Sequence, residues 1–281
     1  MSGEIAFTNT ALESFAALVT FVLLFACIAK IKMQRGIKHV TSKNAKRNTL
    51  DYILIIWLVI HMIVLTADVL SWTAMDFGKN EVWLLFMLNL TFTCLFLECM
   101  VYTYYVKETI YQHEMIGNTY VYLVMLSTVI AIILWITSDI SGKFYYLDTQ
   151  GNYTQGSMYW LCQFYCIIVM CGNIVILLKH RKALVRHDVL SLLMYGLIPI
   201  ASIPAQMLWK STTFNLATTL ALIYICISVH MAQYDRIVEQ EKLLIQQEHE
   251  LSMNQMQMMI AQIQPHFLYN SLTALAQLCS K

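Results

Sequence analysis

Charge is scarce in this sequence of 281 residues: Asp, Glu, Lys and Arg make up 12% of it, against about 25% in an average soluble domain. Three prolines and nine glycines exclude a collagen-like or Pro/Gly-rich disordered chain. The eight cysteines include no CxxC pair and no Cys/His cluster with metal-ligand spacing, so no metal centre is expected. Seven of them (Cys27, Cys94, Cys99, Cys162, Cys166, Cys171 and Cys226) lie inside apolar runs and read as buried, unpaired thiols; Cys279 sits near the end. The leading stretch MSGEIAFTNTALESF carries Glu4 and Glu13 but no Lys or Arg. A cleaved secretory signal needs a basic leading region, so the first apolar run is expected to be a retained span.

What the chain has in excess is apolar residues, at 58%. A membrane crossing takes about 20 of them in a row, and seven such runs can be laid down at 11–29, 51–71, 82–106, 118–138, 158–178, 189–209 and 213–233. Backbone polar groups find no water in lipid, so each run must be a helix. The fold class expected is therefore an all-α integral membrane protein with seven transmembrane helices. No internal repeat relates the first three runs to the later ones. The last run lacks a lysine, which disfavours a retinal Schiff base.

Basic residues orient the spans. Lys30, Lys32, Arg35, Lys38, Lys43, Lys46 and Arg47 fill the first loop, and Lys179, Arg181, Lys182 and Arg186 the fifth. Both loops should face the cytoplasm, which puts the N-terminus outside and everything after about residue 234 inside a plasma membrane. The long outer loop, KFYYLDTQGNYTQG, has aromatic runs around a turn signal and suggests a small β-hairpin. Its tyrosines, Tyr145, Tyr146, Tyr153 and Tyr159, could equally be interfacial anchors or shape a ligand entrance. Asn152-Tyr153-Thr154 matches a glycosylation sequon.

Polar residues inside spans are costly and point to function or to packing. His61 and Asp68 in the second run, seven residues apart, share a helical face. Asn89 and Glu98 in the third run and Asn173 in the fifth complete the set. Together they are candidates for binding an unknown signal ligand or an ion, or for changing protonation, with interhelical hydrogen bonding as the plainer alternative. Pro199 and Pro204 should bend or locally unwind the sixth span.

Past the last span the composition turns polar and helix-favouring, YDRIVEQEKLLIQQEHELSMNQMQMMIAQIQ. Ile237, Leu244, Leu251 and Met258 recur every seven residues, flanked by Val238, Ile245 and Met259, and Met253, Met256, Ile260, Ile263 and Phe267 follow a 3-4-3-4 spacing. The two seams are out of register, which implies a stutter. A parallel homodimer through 234–270 or a surface amphipathic helix would fit. Pro265 should kink the helix. His266 falls beside the seam residue Phe267, with Asn270 one turn on. A neutral imidazole is a competent nucleophile near pH 7.

The segment AQIQPHFLYNSLTAL resembles the histidine box of the LytS-like class of bacterial sensor histidine kinases, Q-[IV]-x-P-H-F-[LI]-[FY]-N-x-L. Gln262, Ile263, Pro265, His266, Phe267, Leu268, Tyr269, Asn270 and Leu272 match it in order. The resemblance covers about 20 residues. It implies a two-component system in which His266 is autophosphorylated from ATP in a homodimer and passes the phosphoryl group to an aspartate of a response regulator. Pro265 and Phe267 would set its backbone and packing, and Asn270 would orient its ring. Where many histidine kinases carry an acidic proton acceptor after the histidine, this sequence has Phe267. ATP and Mg²⁺ would come only through an ATP-binding domain, and no such motif follows Asn270, so a truncated product that is inactive alone is expected. The domains implied are a sensor at 1–233, a coiled-coil signalling helix at 234–260 and the start of the phosphoacceptor region at 261–281. Membrane lipid is an expected partner and nucleic acid is not. The competing reading is a non-enzymatic receptor or transporter-like bundle whose tail binds a partner by helix pairing.

Overall fold

The computed structural model describes residues 3–36, 42–77, 81–148, 153–209 and 213–280. Among the described residues, eight helices and two strands follow one another: α1 (Gly3–Gly36), α2 (Ser42–Phe77), α3 (Glu81–Tyr111), α4 (Thr119–Ile136), α5 (Ser138–Ser141), β1 (Tyr145–Leu147), β2 (Tyr153–Gln155), α6 (Trp160–Lys179), α7 (Arg186–Trp209) and α8 (Thr213–Cys279). Seven segments are long and apolar enough to cross a membrane, from Phe7–Lys32 to Thr213–Met231, and the chain is a multi-pass membrane protein. The segments run past several of the limits expected from composition. The first reaches Phe7–Lys32 instead of 11–29, because a helix closes its own backbone hydrogen bonds through polar end turns as well as apolar ones.

Two compact units divide the chain, Met1–Ser228 and Val229–Lys281. In the first, tight packing comes from aromatic and small side chains. Trp57 is fully buried, with its ring centroid 4.5 Å from Tyr195, 5.6 Å from Tyr105 and 5.7 Å from Tyr102. Tyr102 donates its hydroxyl to the Leu192 carbonyl at 2.9 Å. Gly196 is what lets this group close: a Cβ there would stand 2.9 Å from Ile174 and 3.3 Å from the Tyr102 hydroxyl. Pro199 and Pro204 both lie inside α7, which stays helical from Arg186 to Trp209, so the local unwinding expected there does not occur. Ser202 donates to the Pro199 carbonyl at 2.7 Å within the same segment.

Between α4 and α6 the strands β1 and β2 pair antiparallel, Tyr145 opposite Gln155 and Leu147 opposite Tyr153. The turn that would join them, with Asn152 of the sequon, lies outside the described residues. Gly142 supplies the left-handed backbone (φ 63°) that ends α5 and turns the chain toward β1. The buried Ser138 hydroxyl then anchors the strand: it accepts from the backbone N–H groups of Phe144 (3.0 Å) and Tyr145 (2.9 Å) and donates to the Tyr145 carbonyl (3.0 Å).

The second unit is the remainder of α8, an unbroken helix through Pro265 to Cys279. Among the described seam residues, Val238 is half-buried and the others are solvent-exposed, Leu251 at 59% and Phe267 at 70%; the Ile263 side chain lies outside the described residues. Leu268, Tyr269, Leu272, Leu275 and Leu278 extend the exposed apolar surface beyond them. Of the eight cysteines, Cys171 joins Cys279 in being exposed, and the other six are buried. Cys171 lies inside α6 on a face turned away from the bundle, a correction to the reading of every in-span thiol as buried.

Candidate functional site

The five polar residues singled out in the spans do not converge on one site. His61 and Glu98 meet each other, Asp68, Asn89 and Asn173 meet other partners, and four polar groups result, two of them linked through α8. His61 on α2 is fully buried and uses both ring nitrogens: Nδ1 lies 2.7 Å from Glu98 Oε1 on α3, and Nε2 lies 2.9 Å from Thr219 Oγ1 on α8. Seven residues on, Asp68 accepts a hydrogen bond at 2.8 Å from the side-chain amide of Asn215, which also donates to Glu13 Oε1 on α1 at 3.0 Å. Glu13 and Asp68 are themselves within hydrogen-bonding reach of each other. The shared face of His61 and Asp68 thus looks onto two successive turns of α8, the turns of Thr219 and Asn215. Thr219 also donates its hydroxyl to the Asn215 carbonyl at 2.9 Å, so the two groups are joined through α8.

Asn89 belongs to a third group, beside the strands. Its amide donates to Asp139 Oδ2 at 3.0 Å, and the Tyr145 hydroxyl bridges Asn89 Oδ1 (2.8 Å) and Asp139. Trp135 packs on this group, stacked on Phe92 at 3.8 Å and tilted against Tyr145 at 4.7 Å. Tyr145 is therefore no interfacial anchor: it is fully buried, and Tyr153 and Tyr159 are partly buried against the same core. Tyr146, 46% exposed, alone of the four has the surface an anchor needs. Burial, reinforced by the bond to Asp139, pushes the Tyr145 phenol above its ordinary range.

Asn173 forms the fourth group, donating to Thr103 Oγ1 on α3 at 2.9 Å and to the Val169 carbonyl at 3.0 Å. A part-buried ion pair, Lys30 to Asp51 at 2.7 Å, ties α1 to α2. Sequence reasoning missed Glu13, Asp51, Asp139, Thr219 and Asn215 as members of these groups. Their signal was faint: each stands in or beside an apolar run, and partners such as His61 and Thr219 are 158 positions apart.

In the second unit, the backbone of residues 262–272 is helical throughout. The side chains of Gln262, Ile263, Gln264 and His266 lie outside the described residues; Pro265, Phe267 and Asn270 are exposed. Among the described residues no group of three or more His, Cys, Asp or Glu side chains is placed to hold a metal ion. Compared with known proteins, the chain matches no family model and no curated sequence.

Proposed function

We propose that this chain is the membrane input and phosphoacceptor portion of a bacterial two-component sensor histidine kinase. The observation that carries the reading is the nine-position match to the histidine box at 262–272, on the same helix whose first turns carry Asn215 and Thr219. On this reading the basic loops face the cytoplasm, the strands face outward, and α8 delivers a change in bundle packing to residue 266. The homodimer forms through the exposed seam of 234–270, with membrane lipid around the bundle.

The phosphoryl step is a direct displacement. A neutral ring nitrogen of His266 attacks the γ-phosphorus of ATP, ADP departs with the electron pair of the broken P–O bond, and the ring proton passes to water. The phosphoryl group then moves to an aspartate carboxylate of a response regulator. Charge neutralisation by Mg²⁺ and the grip on the phosphates belong to an ATP-binding domain outside these 281 residues.

The test mixes the purified chain with the ATP-binding domain of a LytS-like kinase and γ-labelled ATP. The expected label is acid-labile, base-stable and absent from His266→Ala. An acid-stable label, or one that survives His266→Ala, overturns the assignment, and an unlabelled chain favours the non-enzymatic receptor.

A further inference from the structure

The hydrogen bonds around His61 fix how many protons it must hold. A threonine hydroxyl has one proton to give. Thr219 commits that proton to the Asn215 carbonyl at 2.9 Å, so in this arrangement its oxygen can only accept from His61 Nε2 at 2.9 Å. Nε2 therefore carries a proton. On the other side, the 2.7 Å approach of Nδ1 to Glu98 Oε1 also requires a proton between the two atoms, because a bare nitrogen and a carboxylate oxygen would repel. His61 and Glu98 together hold two protons. Whether the shared one rests on nitrogen or oxygen, the pair is neutral overall, which suits side chains that are essentially inaccessible to water.

From this count we propose that His61 and Glu98 form a proton-binding site whose state is read by α8 through Thr219. When the proton on Nε2 leaves for water, the pair passes from neutral to one negative charge. Nδ1–H stays on the Glu98 carboxylate, and bare Nε2 becomes an acceptor. The only way to keep that contact is for Thr219 to turn its proton from the Asn215 carbonyl onto Nε2. Asn215 then loses one of the two bonds to its carbonyl, at the residue whose side chain also holds Glu13 and Asp68. One proton is thus converted into a changed hydrogen-bond pattern in the opening turns of α8.

Among the described residues, titratable groups face the pair from the neighbouring helices. Cys94 and Cys99 on α3 and Tyr195 on α7 lie within the electrostatic reach of Glu98. Cys166 on α6 faces Cys99, and Glu13 on α1 and Asp68 on α2 connect through Asn215. α8 contributes hydroxyls and an amide. Failure of phosphotransfer to His266 would leave this site untouched, and the reverse also holds.

The test uses the full chain in liposomes, with ¹⁵N-labelled histidine and a ¹³C label on the Asn215 carbonyl, followed by solid-state NMR from about pH 5 to about pH 9. The expected result is a protonated Nε2 at low pH that becomes an acceptor as pH rises, with the Asn215 carbonyl signal moving at the same midpoint. Glu98→Gln, which removes the counter-charge but keeps the shape, changes the midpoint of that transition. In Thr219→Val, His61 still titrates but the carbonyl signal stays fixed, and Thr219→Ser restores its movement. An unprotonated Nε2 at low pH overturns the proposal. So does the lack of any transition over the range, or a carbonyl that follows pH as well in Thr219→Val as in the original chain.

Discussion

At the scale of single residues, the described part of the bundle is held by a few polar side chains that satisfy one another where lipid cannot. Thr20, Thr91, Thr103, Thr109 and Thr128 return their hydroxyls to the carbonyl four residues back, the cheapest partner in a dry helix. Tyr145 does more, since its hydroxyl joins Asn89 and Asp139 beneath the strands. Its phenol ionises above the ordinary tyrosine range of about 10 because burial and Asp139 both oppose the phenolate. A raised folded-state pKa contributes stability that is complete below about pH 10 and is lost as pH climbs through the folded value. The expected outcome is alkaline unfolding of the region around Trp135 that sets in at about pH 10, followed by near-ultraviolet circular dichroism in detergent. Tyr145→Phe should cost about 1–2 kcal/mol at neutral pH and show a shallower decline on the alkaline side. An unchanged alkaline slope would mean that Tyr145 is not the titrating group. Tyr153 and Tyr159, also raised by burial, would then carry the decline.

At the scale of elements, run length and turn chemistry were legible in the sequence, and the inward faces were not. In water an inward face is the apolar one, but lipid is as apolar as a core, so periodicity loses its sign. α1 shows the inversion. Its buried stripe is Asn9, Glu13, Ala16, Thr20 and Cys27, while Phe15, Leu18, Phe21, Val22 and Phe25 face outward. Glu13 was therefore legible only as a charge near the start, and Thr219 and Asn215 as ordinary polar residues of a last span. His61 and Glu98 stood out because ionisable groups in a span are rare, but their pairing needed the packing of α2 on α3. Beyond residue 233 the rule of aqueous periodicity returns, and there the seam residues Ile237, Leu244, Leu251 and Met258 are exposed. A second copy laid parallel would cover them. With Cys171 and Cys279 replaced by serine, Leu251→Cys should form an intermolecular disulfide several-fold faster than His249→Cys, which projects from the far side of the helix. Equal rates at the two positions would rule out the 237–244–251–258 seam as the dimer contact.

At the scale of the whole molecule, the charges sort by helix end. Lys30 and Lys32 close the first span, and Lys179, Arg181, Lys182 and Arg186 stand between the fifth and sixth. The strands join the opposite ends of their neighbouring spans, after α4 and before α6. On the proposed reading, the odd number of candidate spans among the described residues puts residue 266 on the side opposite the N-terminus. If the basic end faces the cytoplasm, that side is also where ATP is found, and the phosphoacceptor reading and the orientation depend on each other. In the same serine background, a membrane-impermeant thiol reagent applied to intact cells should modify Gln155→Cys on β2 and spare Lys182→Cys until the cells are permeabilised. The reverse pattern would put residue 266 outside, away from any response regulator. No property of the histidine box could then rescue a phosphorelay, and the seven-span bundle would have to be read as a receptor whose exposed helix meets an extracellular partner.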